Sequence, residues 1–173
     1  MKKETKILLK SRAVEMAKEP QMKISETEGL EVITFSLATE NYGIESVFIR
    51  EVYPLKDFTP LPGVPSYILG IFNIHGQILP VIDLKKFFNL PIKGLVELNK
   101  VIILRNEQME FGILADIIHG TQTIELDDIK VVPPTVSGIR EMYLKGVTNN
   151  KIIILNAEKI LMDESIIVNS EVN

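Results

Sequence analysis

The chain contains no cysteine and only two histidines, and aromatic residues make up 6% of it. Lacking cysteine, it can form no disulfide scaffold, no thiolate zinc site and no cysteine nucleophile, a composition that fits a reducing compartment. No apolar run approaches the ~18 residues of a membrane span. The basic start, MKKETKILLK, carries only Ile7, Leu8 and Leu9 before charge resumes, too little for the apolar core of a signal peptide. A soluble intracellular protein is therefore expected. The formal net charge is -4 and the lysines are scattered, so there is no basic stripe with interleaved aromatics to track a nucleic acid.

Catalytic signatures are equally sparse. There is no GxSxG, no GxxxxGK[ST] and no GxGxxG; the glycines stand singly at strand starts and turns, where backbone freedom explains them. His75 and His119 fall one in each half, without HxH or HExxH spacing. Asp83 and Asp116, on apolar strands, are the carboxylates that could join them. Two histidines are thin provision for a zinc site or a triad, so a turn histidine and strand-end carboxylates bonded to backbone are the better account. Asp127 and Asp128 are followed by too few oxygens at loop spacing for calcium. Nothing here supports an enzyme, a metal or a cofactor.

What the chain does have is short apolar strands. VITFSL, GIESVFIREV, YILGIFNI, QILPVIDL, VIILRN, FGILADII, TQTIEL and KIIILN are rich in β-branched residues, and brief polar turns separate them. Three helical pieces are expected. Over residues 4–19, Leu9, Ala13, Met16 and Ala17 share a face that Pro20 ends, and a polar linker follows. The others are LKKFF from Leu84 and AEKILM from Ala157, the latter with Asn156 as N-cap.

The sequence also repeats itself. Tyr42-Gly43-Ile44 matches Phe111-Gly112-Ile113 at an offset of 112 − 43 = 69, and each follows an apolar strand and a polar turn. YILGIFNIHGQILPVIDLKKFF resembles MYLKGVTNNKIIILNAEKIL, pairing Gly70 with Gly146 and Asn73 with Asn149 at 146 − 70 = 76. Two copies of about five strands predict two small barrels or one pseudo-twofold sandwich. Proline-bearing loops, Tyr53 to Tyr67 and Lys130 to Tyr143, interrupt both copies and read as stiff surfaces or guarded edges. Phe58, Leu61, Val64, Ile71 and Phe72 are expected as apolar residues available to a partner.

On these residues the chain resembles the CheW-type coupling proteins of bacterial chemotaxis. The carriers are FSLATENYGIESVFIREV, YILGIFNIHGQILPVIDL, MEFGILADIIHGTQTIEL and MYLKGVTNNKIIILNAEKIL, spanning about Glu31 to Leu161. The resemblance implies a mainly β fold of two SH3-like five-stranded barrels with pseudo-twofold symmetry and short helices. It divides the chain into an N-terminal helix and linker (1–29), a core (30–167) and a polar tail (168–173). The barrels fall roughly at 30–92 and 93–167, with exchange of strands between them allowed.

The implied role is a non-catalytic, cytoplasmic scaffold that joins the cytoplasmic hairpin tips of methyl-accepting chemoreceptors to the regulatory domain of a histidine kinase. It would be tied to membrane arrays through protein contacts, without nucleic acid and without insertion of its own. The alternatives are an adaptor in a parallel pathway (pili, surface motility or gene regulation) and a regulatory fragment of a kinase. Carried over by motif, receptor contacts fall on Ile49, Glu51, Gly70, Phe72, Asn73, His75 and Gly76. Kinase contacts fall on Gly112, Ile113, Val147, Asn149 and Asn150. Most relatives have arginine in the N-x-R-G turn where this chain has His75. A Glu51–His75 pair is expected in place of the usual ion pair, weaker and partly dependent on pH.

Overall fold

The computed structural model of the protein describes residues 28–91, 99–132 and 139–166. Ten strands are distributed along them. The first five are β1 (Gly29–Leu37), β2 (Glu40–Glu45), β3 (Ile49–Pro54), β4 (Ile68–Ile74) and β5 (Gln77–Ile82), and helix α1 (Leu84–Phe87) follows. Then come β6 (Lys100–Arg105), β7 (Glu110–Ala115), β8 (Ile117–Glu125), β9 (Leu144–Val147) and β10 (Ile152–Leu155), followed by α2 (Ala157–Leu161). The expected N-terminal helix lies outside the described residues.

Strand pairing makes two five-stranded sheets, in the orders β8-β1-β2-β10-β9 and β3-β6-β7-β5-β4. The second order reproduces the first strand for strand once the two sequence repeats are superposed. In each repeat the leading hairpin joins one sheet and the next three strands join the other. The pairs are antiparallel except β2 with β10 and β5 with β7, one junction between the repeats in each sheet; the other junctions, β1 with β8 and β3 with β6, are antiparallel. Gly43 and Gly112 sit in these parallel pairs, opposite Ile154 and Val81.

Burial explains why the sheets stay together. A small cluster lies within each: Val32, Ile124 and Ile154 in one, and Phe72, Leu79, Val81, Val101 and Leu114 among those in the other. The largest cluster takes Phe35 and Tyr42 from the first sheet, Ile102 and Phe111 from the second, and Leu84 and Ile160 from the helices. Each such side chain contributes roughly 1.5–3 kcal/mol on burial, so this shared cluster dominates the folding energy. Both helices are capped, α2 by the expected Asn156 and α1 by Asp83. The Asp83 carboxylate accepts from the Lys85 amide at 3.0 Å, and the Asn156 side chain accepts from the Lys159 amide at 3.1 Å.

Three expectations are corrected. GIESVFIREV is two strands: β2 ends at Glu45, a 3-10 turn spans Ser46–Phe48, and β3 continues in the other sheet. FGILADII is likewise broken at Asp116, where the chain crosses from β7 to β8, and TQTIEL is the second half of β8. Of the supposed apolar tips, Leu61, Val64 and Ile71 are half-buried, while Phe72 and Phe58 are drawn inward. Phe72 is 4% exposed, and Phe58 packs against the same cluster because the loop before β4 folds over that strand. Among the described residues, the large apolar side chains most in the open are Val47, Ile78, Ile117, Leu126, Val131, Met142 and Met162.

That loop makes a two-bond bridge, Thr59 N to Ile71 O at 2.8 Å and Ile71 N to Thr59 O at 2.9 Å. The second repeat makes the same bridge between Lys130 and Val147, with both bonds at 2.9 Å. Glycine is needed beside each. A Cβ on Gly70 would stand 2.4 Å from the Thr59 carbonyl oxygen, and one on Gly146 would stand 2.4 Å from that of Lys130.

Candidate functional site

The receptor-side residues gather at one end of the second sheet. β3 and β4 are its two edges, yet the Glu51 carboxylate reaches the His75 ring at 3.5 Å and the Tyr53 ring meets His75 edge-on at 5.8 Å. The sheet therefore curls until its edges touch. β4 and β5 are joined by a two-residue turn, His75-Gly76, between the paired Ile74 and Gln77. Both turn residues have positive φ, 51° and 84°. That is the mirror-image turn favoured by strand twist, and histidine tolerates its left-handed position better than most residues. The Asn73 side chain accepts from the Gly76 amide at 2.9 Å and closes the turn.

Of the seven residues expected here, Asn73, His75 and Gly76 are exposed, and Ile49 and Glu51 are half-buried. Gly70 and Phe72 are buried and shape the strand from below. Reading the sequence missed four neighbours. Tyr53 backs the histidine, while Arg50, Gln77 and Glu110 form a polar group beside it. The Arg50 guanidinium donates to Gln77 at 2.9 Å and to Glu110, and Gln77 donates to Glu110 at 3.0 Å. Burial works against the ionised Glu110, but hydrogen bonds from Arg50 and Gln77 outweigh it and hold the carboxyl below its ordinary pKa. Position beside the turn was the available signal for Gln77. Nothing local marked Glu110, whose place depends on β7 lying next to β5.

The residues expected at a kinase divide differently. Val147 is bridged to Lys130, the Asn149 amide donates to Asp128 at 3.1 Å, and Asn150 is exposed. Asn149 and Asn150 line an open polar cleft of about 630 Å³ with Gln122, Glu125, Asp127 and Asp128. Gly112 is buried with its Cα facing Val101, and Ile113 is 0% exposed in the shared cluster. Neither offers surface to a partner.

The carboxylates and histidines considered for catalysis are dispersed. Asp83 caps α1. Asp116 accepts from buried Lys85 at 2.5 Å and from the Ala38 amide at 2.8 Å, pinning the β1–β2 turn to the β7–β8 crossover. His119 meets the Ser36 hydroxyl at 2.6 Å, and that hydroxyl donates to Asn41 at 3.0 Å, so it is not poised as a nucleophile. Among the described residues no three His, Asp or Glu side chains converge as metal ligands, and no helix is long and apolar enough to cross a membrane.

A model of the CheW-like domain family matches residues 31–165. The chemotaxis protein CheW of Treponema pallidum is 30% identical over 146 residues, covering 80% of this chain and 86% of that protein. The chemotaxis protein CheW of Helicobacter pylori is 30% identical over 136 residues, covering 78% and 82%. Among solved structures, the scaffolding protein TtCheW from Thermoanaerobacter tengcongensis superposes with a TM-score of 0.69 at 31% identity, over 79% of this chain and 95% of its own.

Proposed function

The chain belongs to the CheW-like family, whose members are non-catalytic scaffolds, and from that premise we propose which surfaces it uses to couple receptor to kinase. The cytoplasmic hairpin tip of a chemoreceptor seats against the curled end of the second sheet. Glu51, Asn73, His75 and Gly76 meet it directly, with Tyr53 behind the histidine. The regulatory domain of a chemotaxis histidine kinase docks on the first sheet, where Val147, Asn149 and Asn150 stand at the β9–β10 turn. The protein works in the cytoplasm, held at receptor arrays by these contacts.

The observation that carries the receptor reading is the Glu51–His75–Tyr53 contact across the two edges of one sheet. Two side chains of β3, Glu51 and Tyr53, converge on the histidine of a rigid turn at the opposite edge, and rigid presentation lowers the entropy lost on binding. An exposed histidine with a carboxylate at 3.5 Å can exchange that partner for one on the receptor at small cost.

Calorimetric titration tests the assignment. A receptor hairpin-tip fragment is expected to bind with a micromolar Kd, weakened at least tenfold by His75→Glu, while binding to the kinase regulatory domain is unchanged. Asn149→Trp is expected to do the reverse. Equal effects of either substitution on both partners would overturn the division into two faces.

A further inference from the structure

We infer that Arg50 is a positioning residue of the receptor face: aimed by a β-bulge, it pins the His75–Gly76 turn through Gln77 and Glu110 and so leaves Glu51 for the partner. This rests on the receptor reading above.

The bulge is seen in the β3–β6 register, where Ile49 pairs with Leu104 and Glu51 with the adjacent Ile103, leaving Arg50 as an extra residue. Bulges redirect a side chain that a regular strand would point elsewhere. Here the redirected guanidinium spans three strands. It bonds Gln77, the residue that follows the turn and opens β5, and Glu110, the residue that opens β7. Gln77 and Glu110 also bond each other, so the triangle is closed. The side chains of Arg50 and Glu110 are 26% and 20% exposed, which shields the pair more than an ordinary surface ion pair.

Glu51 supplies the second half of the argument. Its Oε1 is buried and accepts no hydrogen bond, although the Arg50 Nε is only 3.8 Å away. Both bonds to Gln77 and Glu110 leave from one nitrogen, Nη1, and with that nitrogen anchored the Nε edge faces Glu51 at ion-pair distance, too far for a hydrogen bond. A buried acceptor left without a donor is costly in the free protein, and a receptor whose seating turns that oxygen outward to a donor removes the cost on binding. Glu110 thus holds the guanidinium where it pairs with Glu51 by charge but donates no hydrogen bond to it.

The experiment uses the full chain as Arg50→Met, Glu110→Gln and the double variant. It measures Kd for the receptor hairpin-tip fragment, Kd for the kinase regulatory domain, and the amide chemical shifts of Asn73, Gly76 and Gln77. Each single substitution is expected to weaken receptor binding about tenfold, the double to be no worse than either alone, and kinase binding to stay unchanged. The turn amides are expected to shift in all three variants. Wild-type receptor affinity in Arg50→Met, or losses that add in the double, would overturn the inference and leave the receptor reading standing. Should the unsubstituted protein bind no receptor fragment, that reading fails. The amide shifts then decide alone, displaced amides upholding the positioning role and unmoved ones ending it.

Discussion

The hairpins β4–β5 and β9–β10 occupy matching places in the two sheets, and they share a scaffold but not a surface. Each contains, in its first strand, a glycine that lets a proline-bearing loop cross at 2.4 Å from where a Cβ would be. Each strand then makes a two-bond bridge to that loop, Thr59 with Ile71 and Lys130 with Val147. Beyond the bridges they diverge. The first turn is a tight pair of left-handed residues carrying His75, met by Glu51 and Tyr53. The second is wider, with Lys151 left-handed and the Thr148 hydroxyl accepting from the Ile152 amide at 3.1 Å. It opens on an acidic, polar cleft. The backbone contacts that hold each sheet closed recur because both sheets need them, whereas the turns carry different chemistry and can serve different partners.

Substituting the glycines should produce the largest effects. Gly70→Ala is expected to cost ~3–5 kcal/mol and Gly146→Ala somewhat less, because Gly70 also has φ +153°, where a side chain is strained whatever the space. Urea unfolding of the two variants compares them. A loss under ~1 kcal/mol at Gly70 would mean that the loop crossing is not tight and the parallel between the hairpins is superficial.

A middle-sized effect separates Tyr67 from Tyr143, which are 143 − 67 = 76 apart and so equivalent in the repeat. Both phenols are raised above their ordinary pKa, burial being the larger cause in each. Tyr143 donates to the Asp163 carboxylate and is pushed up to about 12, while Tyr67 donates to the Ser165 carbonyl. A phenol whose folded pKa exceeds its unfolded one stabilises the fold fully below the unfolded value near 10. That stability is lost as pH rises through about 12. Of order 2 kcal/mol should disappear over that window, read as a falling melting temperature. Tyr143→Phe should flatten the alkaline limb more than Tyr67→Phe does; the reverse order would show that the carboxylate is not what distinguishes the two.

His75→Asn should have the smallest effect on the fold, within about 0.5 kcal/mol, since Asn-Gly suits the same left-handed turn. Receptor binding should nevertheless fall several-fold. Unchanged binding would mean that the turn's shape, and not its imidazole, is recognised.

Much of this architecture was legible because it is written in local pattern. The strand textures, the Asn156 N-cap, the single glycines and the offsets of 69 and 76 all appear in the folded protein as sheets, a capped helix and matching bridges. The crossovers were not legible. GIESVFIREV and FGILADII mark their crossovers only by Glu45-Ser46 and by Asp116, with no proline or glycine there, and the apolar run resumes at once, so each reads as one strand. Part of the site was hidden for the same kind of reason. Glu51 and His75 could be matched by motif, but Arg50 lies on a bulge, and Glu110 is 60 residues away from it in sequence.

The sequence by itself determined a β-rich, cysteine-free chain built twice from one pattern, because periodicity, turn chemistry and steric need for glycine act between near neighbours. Tertiary structure alone decided that the two copies trade hairpins, that the second sheet curls until Glu51 meets His75, and that Ile113 is buried while Asn150 is not. Those outcomes depend on which distant surfaces pack together, and no short stretch of chain carries that information.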